Sequence, residues 1–264
     1  MKKYLIAIFV IIMLMMTVIA VSAEDFDFSD TAEDCTKAHS FSGWVIVIPS
    51  AYDERGLMVR DCSICGYSEE QSTPMIPLPF VDVRDSHWFA DSVKYCLQRG
   101  YVKGMNESAF VPDGYMTRAQ FLVMLAKLDG IDLSAYEGED SGFEDVKPSH
   151  WYNPYVCWAA ENKLTAGLTP TAFGPNDNLT RSQLARFLYV YSEKKGIAVD
   201  GRGDLSVFPD AASVSGWAVD SVSWAVYMGI IGGVAKDGIN YLTPNGTSTR
   251  AQAAVMFTVF DKVK

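Results

Sequence analysis

The sequence predicts a mainly α fold: three helix-loop-helix repeats in a pseudo-threefold cluster, preceded by a small β-hairpin knuckle. Three observations lead there. A set of landmark residues recurs three times, each copy holds two stretches of helical apolar period, and each second stretch opens on the same capping signal.

The landmarks come first. Phe80-Val81-Asp82-Val83 returns as Phe143-Glu144-Asp145-Val146 and, in degenerate form, as Phe208-Pro209-Asp210. Trp88, Trp151 and Trp217 follow those phenylalanines by eight, eight and nine residues. Thr117-Arg118-Ala119-Gln120, Thr180-Arg181-Ser182-Gln183 and Thr249-Arg250-Ala251-Gln252 complete each set. Copies one and two are offset by 63 residues throughout, whereas copy three lies 65 to 69 farther on. That drift predicts small insertions near Ser213 and Lys236.

Within copy one, Val93, Cys96 and Leu97 share one face of a helix beginning near Phe89. Val156, Ala159 and Ala160, then Val222, Ala225 and Val226, repeat that face. Glycines break the helix, and each loop proline stands six residues before the repeat arginine. In the second helix the threonine caps the first turn while the glutamine three residues on reaches back. Phe121, Leu122 and Leu125 then form a core face. A lone helical hairpin cannot bury such a face, so three must share one core, with grooves between neighbours.

The F-x-D-V, H-W, glycine break and T-R-A-Q pattern resembles the S-layer homology domain in three tandem copies, over about residues 80–264. The resemblance implies cell-surface attachment through a three-pronged helical unit. It implies non-covalent binding of a secondary cell-wall polysaccharide linked to peptidoglycan, typically pyruvylated. It further implies that Arg118, Arg181 and Arg250 contact the acidic group of the ligand. Asp82, Asp145 and Asp210, Trp88, Trp151 and Trp217, and the loop glycines Gly104, Gly167 and Gly233 would shape the site.

Elementary chemistry supports part of that. An arginine at the first position of a helix opposes the helix dipole, so three equivalent arginines there suggest an expected anion. A guanidinium holds a planar carboxylate bidentately, and free helix N–H groups would add donors. Structural alternatives stay open. Each arginine can pair with a nearby aspartate, the aspartates can cap the first helices, and the tryptophans suit core packing better than a groove wall.

Ahead of the repeats, Lys2 and Lys3, an apolar run from Tyr4 to Val21 and small residues to Ala23 have the layout of a secretory signal peptide, with an uncleaved anchor as the alternative. The expected organisation is signal peptide 1–23, acidic linker 24–34, Cys/His module 35–78, and repeats at 79–130, 142–196 and 205–264. No membrane span is expected in the mature form. In the module, Cys35-x3-His39 and Cys62-x2-Cys65 flank two expected strands, Gly43 to Ile48 and Gly56 to Asp61. These four residues would hold a structural zinc, with a disulfide as the alternative in an oxidising exterior. No other cofactor is expected. Cys96 and Cys157 fall on helix faces as buried thiols.

The chain carries a formal charge of −10 and no basic stretch longer than a pair, which argues against a nucleic-acid partner. It has three histidines, and His87 and His150 occupy equivalent repeat positions, which makes them scaffold. Neither a nucleophile elbow nor an H-E-x-x-H motif is present. A non-enzymatic binding module is therefore expected, with a wall-acting hydrolase and a lattice-forming subunit as alternatives.

Overall fold

The structure, a computed structural model, describes residues 39–264. The segments expected to be signal peptide and acidic linker, together with Cys35, lie outside the described residues. The described residues fall into two units: a small sheet within 39–48 and 57–72, and a larger body of 49–56 with 73–264.

In the small unit, β1 (Val45–Ile48), β2 (Gly56–Asp61) and β3 (Ser68–Thr73) form a sheet in that order, with β1 antiparallel to β2. The expected hairpin thus gains a third strand. Ser68-Glu69-Glu70-Gln71 lacks the apolar alternation that would have announced it, and Arg60 Nε donates to Glu69 across the β2–β3 pair at 2.6 Å.

The larger unit holds six helices: α1 (Ala90–Gln98), α2 (Arg118–Asp129), α3 (Asn153–Glu161), α4 (Arg181–Lys195), α5 (Val219–Tyr227) and α6 (Arg250–Val263). All three expected capping boxes form. The Thr117, Thr180 and Thr249 hydroxyls accept from the glutamine amides, and the glutamine side chains accept from the threonine amides. Each arginine is therefore the first residue of its helix.

Packing runs between copies rather than within them. The closest helix pairs are α2 with α3, α4 with α5, and α6 with α1, which closes a ring. At that closure the Tyr95 and Tyr101 hydroxyls both donate to Asp261, at 2.8 and 2.9 Å, and the Cys96 thiol meets Thr258 Oγ1 at 3.3 Å. Phe121 touches both Phe187 and Phe257, with ring centroids 5.9 and 5.8 Å apart. The three copies share one core, as expected, and it is made of interfaces between copies.

A second ring lies in the backbone. The Met116 amide donates to Ser248, Ser248 to Leu179, and Leu179 back to Met116, at 3.0, 2.8 and 2.8 Å. This cyclic set locks the segments before the three second helices around one pseudo-threefold axis. The two expected insertions appear in copy three as a short 3-10 turn at Ala211–Ser213 and a hairpin of β4 (Val234–Lys236) with β5 (Ile239–Tyr241). Among the described residues no helix is long and apolar enough to cross a membrane. Cys96 and Cys157 are buried thiols, and burial pushes Cys96 up to about 12.

Candidate functional site

Each site begins with a half-buried aspartate that shapes a loop. Asp82 accepts from the Phe110 and Val111 amides at 2.9 and 2.7 Å. Asp145 does the same for Phe173 and Gly174, and Asp210 for Leu242 and Thr243. The second residue of each pair has a positive φ: 59° at Val111, 70° at Gly174 and 46° at Thr243. That conformation is strained for β-branched residues, and two charge-assisted bonds hold it. The aspartates neither cap the first helices nor form ion pairs with the arginines; they clamp loops.

The clamped loop then presents its carbonyl to the arginine of the preceding copy in the ring. Arg118 Nε donates to the Phe173 carbonyl at 2.9 Å, Arg181 Nε to Leu242 at 3.0 Å, and Arg250 Nε to Phe110 at 2.8 Å. All three side chains are 4–6% exposed. Burial lowers their proton affinity, bringing Arg118 to about 10, against a partial offset from the fields of Asp177 and Asp145. The guanidinium therefore stays charged at neutral pH, with few groups around it to share the charge.

The helix-start amides are not available to a ligand, which corrects the expectation of free N–H donors. The Arg118 amide donates to the Asp177 carbonyl and the Ala119 amide to Pro175; Arg181, Ser182, Arg250 and Ala251 are engaged in the same way by the neighbouring loops. An anion at these sites must be held by side chains.

Two open grooves lie at these junctions. The larger, 740 Å³, is lined by Arg118, by Lys163 through Leu168, by Gln183, Arg186, Phe187 and Val190 on α4, and by Trp217. The second, 330 Å³, combines Arg250 with Lys103, Gly104, Met105, Met124, Lys127 and Trp151, among others. The pattern is shared: arginine from one copy, loop and second helix from the next, tryptophan from the third. Each groove holds three cationic side chains and no carboxylate.

Trp88, Trp151 and Trp217 are 68%, 61% and 56% exposed, so the core-packing expectation is corrected. Their indoles stand edge-on to Phe89 and Tyr152 in the first two copies and leave a face open. The loop glycines have a steric reason of their own. A Cβ on Gly104 would lie 2.6 Å from Phe80 Cε1, one on Gly167 2.7 Å from Phe143 Cε1, and one on Gly233 2.5 Å from Asn240 Oδ1. His87 and His150 Nδ1 accept backbone amides of their own turns, the scaffold part expected of them.

Lys163, Arg186, Lys103 and Lys127 were not singled out by sequence. A position-by-position comparison of the copies would have found the first two. Lys163 replaces Gly100 and Gly229, and Arg186 replaces Val123 and Val255. Lys163 keeps the glycine backbone, with φ 57° against 70° at both sisters, a conformation that costs a side chain about 1 kcal/mol.

In the sheet unit, His39, Cys62 and Cys65 come together, as expected of three of the four residues named there. The Cys65 and Ile64 amides donate to the Cys62 sulfur and hold its thiol down to about 5.

Comparison with known proteins agrees with this architecture. The S-layer homology domain matches at residues 79–122, 142–185 and 207–254. The chain is 34% identical over 173 residues to a surface-layer 125 kDa protein of Lysinibacillus sphaericus, covering 66% of this chain and 14% of that protein. It is 33% identical over 178 residues to the exoglucanase XynX of Acetivibrio thermocellus, covering 67% of this chain and 16% of the enzyme. A cellulosome-anchoring protein of Acetivibrio thermocellus is 28% identical over 157 residues, 59% of this chain and 34% of that protein. The chain thus spans a small share of each relative. With three matched copies, it belongs to the S-layer homology domain family, a family of the cell surface.

Proposed function

We propose that the chain anchors itself to the bacterial cell wall by holding an anionic secondary wall polysaccharide, pyruvylated in its acidic form, in the grooves between repeats. The carrying observation is charge. In a chain of net charge −10, both open grooves are lined by three cations and no acid. A ketal-linked pyruvate presents a compact planar carboxylate, which suits the guanidinium fork of Arg118. The open indole of Trp217 gives the sugar ring an apolar platform. Lys163 supports the reading, because it places a cation in the groove wall at a left-handed position where the sister copies carry glycine.

The relatives fit this reading from two directions. One relative is named a surface-layer protein and another a cellulosome-anchoring protein, and an exoglucanase shares the same segment while most of its length lies outside the match. The role carried over is anchoring, without catalysis by the repeats. Co-sedimentation of the full chain with purified sacculi tests it. Binding should follow wall that retains its secondary polymer and fall to background on wall stripped by acid extraction. Equal recovery on both walls would refute it.

A further inference from the structure

We propose that His39, Cys62 and Cys65 form a zinc site that staples the small sheet. The three ligand atoms lie within 4.8 Å of one another, and Cys65 Sγ is 3.4 Å from His39 Nδ1. Zinc bonds of about 2.3 Å to sulfur and 2.0 Å to nitrogen at a tetrahedral angle place such ligands roughly 3.5 Å apart. The ligands need only close slightly on an ion, and one tetrahedral position remains for a further ligand.

Two features of the surroundings are those a metal site requires. Cys62-Ser63-Ile64-Cys65 makes a tight turn closed by the Gly66 amide donating to the Cys62 carbonyl at 2.9 Å, with Gly66 at φ 71°. It aims the Ile64 and Cys65 amides at the Cys62 sulfur, the outer-shell support a thiolate ligand needs. On the other side, His39 stacks on Tyr67 with centroids 4.9 Å apart and leans on Phe41 at 5.3 Å, which fixes the plane of its ring.

Among its described residues the sheet buries little apolar surface. Among the described residues of this unit, Cys62 is the one buried side chain, and Val45 through Ile48 are 36–66% exposed. Where so little apolar surface is buried, a structural metal adds folding free energy directly. Two sulfurs with an imidazole nitrogen within reach are a zinc donor set, whereas a disulfide would use the sulfurs alone.

The test is metal analysis of the full chain, purified with reductant, loaded with zinc sulfate and gel-filtered. We expect one zinc per chain, and cobalt(II) in its place should give tetrahedral ligand-field bands with thiolate charge transfer. Cys62→Ser and Cys65→Ser should each lose the charge-transfer intensity, and His39→Ala should weaken zinc at least tenfold. Cys96→Ser and Arg118→Gln should keep the full complement, which separates this site from the wall-binding grooves. A wild-type chain that retains no metal would overturn the proposal whatever the variants do. So would undiminished zinc in a Cys62→Ser/Cys65→Ser double variant of native helical content.

Discussion

The Arg118 groove and the Arg250 groove share one backbone plan and three cations each, and differ in where those cations stand and in how many guanidinium donors stay open to a ligand. Arg250 spends a terminal nitrogen on the Lys103 carbonyl at 2.8 Å, whereas among the described residues the Arg118 side chain makes its hydrogen bond through Nε. Around Arg118 stand Arg186 and the strained Lys163; their counterparts in the Arg250 groove are Val123 and Gly100, and methionines fill the wall. The Arg181 junction differs again, because the β4–β5 hairpin brings Asn240 against Gly233, with its side chain 2.5 Å from the Gly232 carbonyl. Scaffold and binding strength are thus encoded separately. Aspartate clamps, capping boxes and glycines build three equivalent junctions, and a few substitutions decide which of them is best equipped for an anion.

The largest effect expected from that difference is in the arginines. Arg118→Gln should cost about 3 kcal/mol of polymer affinity, roughly a hundredfold, and Arg250→Gln about tenfold or less. Titration of a soluble wall polymer into each variant, with thermal melts alongside, checks it. Equal losses would dissolve the distinction between the grooves. Arg118→Lys should rescue only in part, since an ammonium keeps the charge and loses the fork.

The next effect is on the loop that serves the Arg118 groove. Asp145→Asn keeps one acceptor oxygen and removes the charge that holds the Phe173 and Gly174 amides, so stability should fall by about 2 kcal/mol in denaturant titration. Asp82→Asn should fall further, because its loop must also keep Val111 at positive φ.

The ring closure can be loosened by acid. Burial would raise the Asp261 carboxyl, but hydrogen bonds from Lys264, Tyr95 and Tyr101 outweigh it and hold its pKa below the ordinary value. A carboxylate depressed in the folded state contributes stability that is present above its unfolded pKa and lost as pH falls through the folded one. Wild type should therefore lose stability below about pH 4, and Asp261→Asn should show a flatter profile there with lower stability at pH 7. Melting curves from pH 7 down to 3 would show it, and identical slopes would remove Asp261 from the closure.

The smallest effect sharpens the comparison most. Lys163→Gly should raise stability by about 1 kcal/mol by relieving its backbone while weakening polymer binding several-fold. Loss of both stability and binding would mean that the lysine serves the fold.

Much of this was legible in the residues. Periodic landmarks gave the copies, the capping boxes gave the start of every second helix, and the 65 to 69 residue drift located both insertions. Local signals of that kind act over one or two helical turns. What they could not convey was pairing across copies: that Asp145 clamps a loop of its own copy while Arg118 reaches that loop from another. The tryptophans misled because a large aromatic at a fixed repeat position suits a core as well as a groove rim, and only the path of the chain decides. The helix-start amides misled for a related reason, since the carbonyls that take them arrive from a different copy.

The most direct test of the central claim is calorimetric titration of the full chain with a pyruvylated wall disaccharide and with the same sugar after removal of the pyruvate. The account predicts binding that requires the carboxylate, weakens with added salt and is largely lost in Arg118→Gln. Equal affinity for both sugars, or full affinity in that variant, would contradict it.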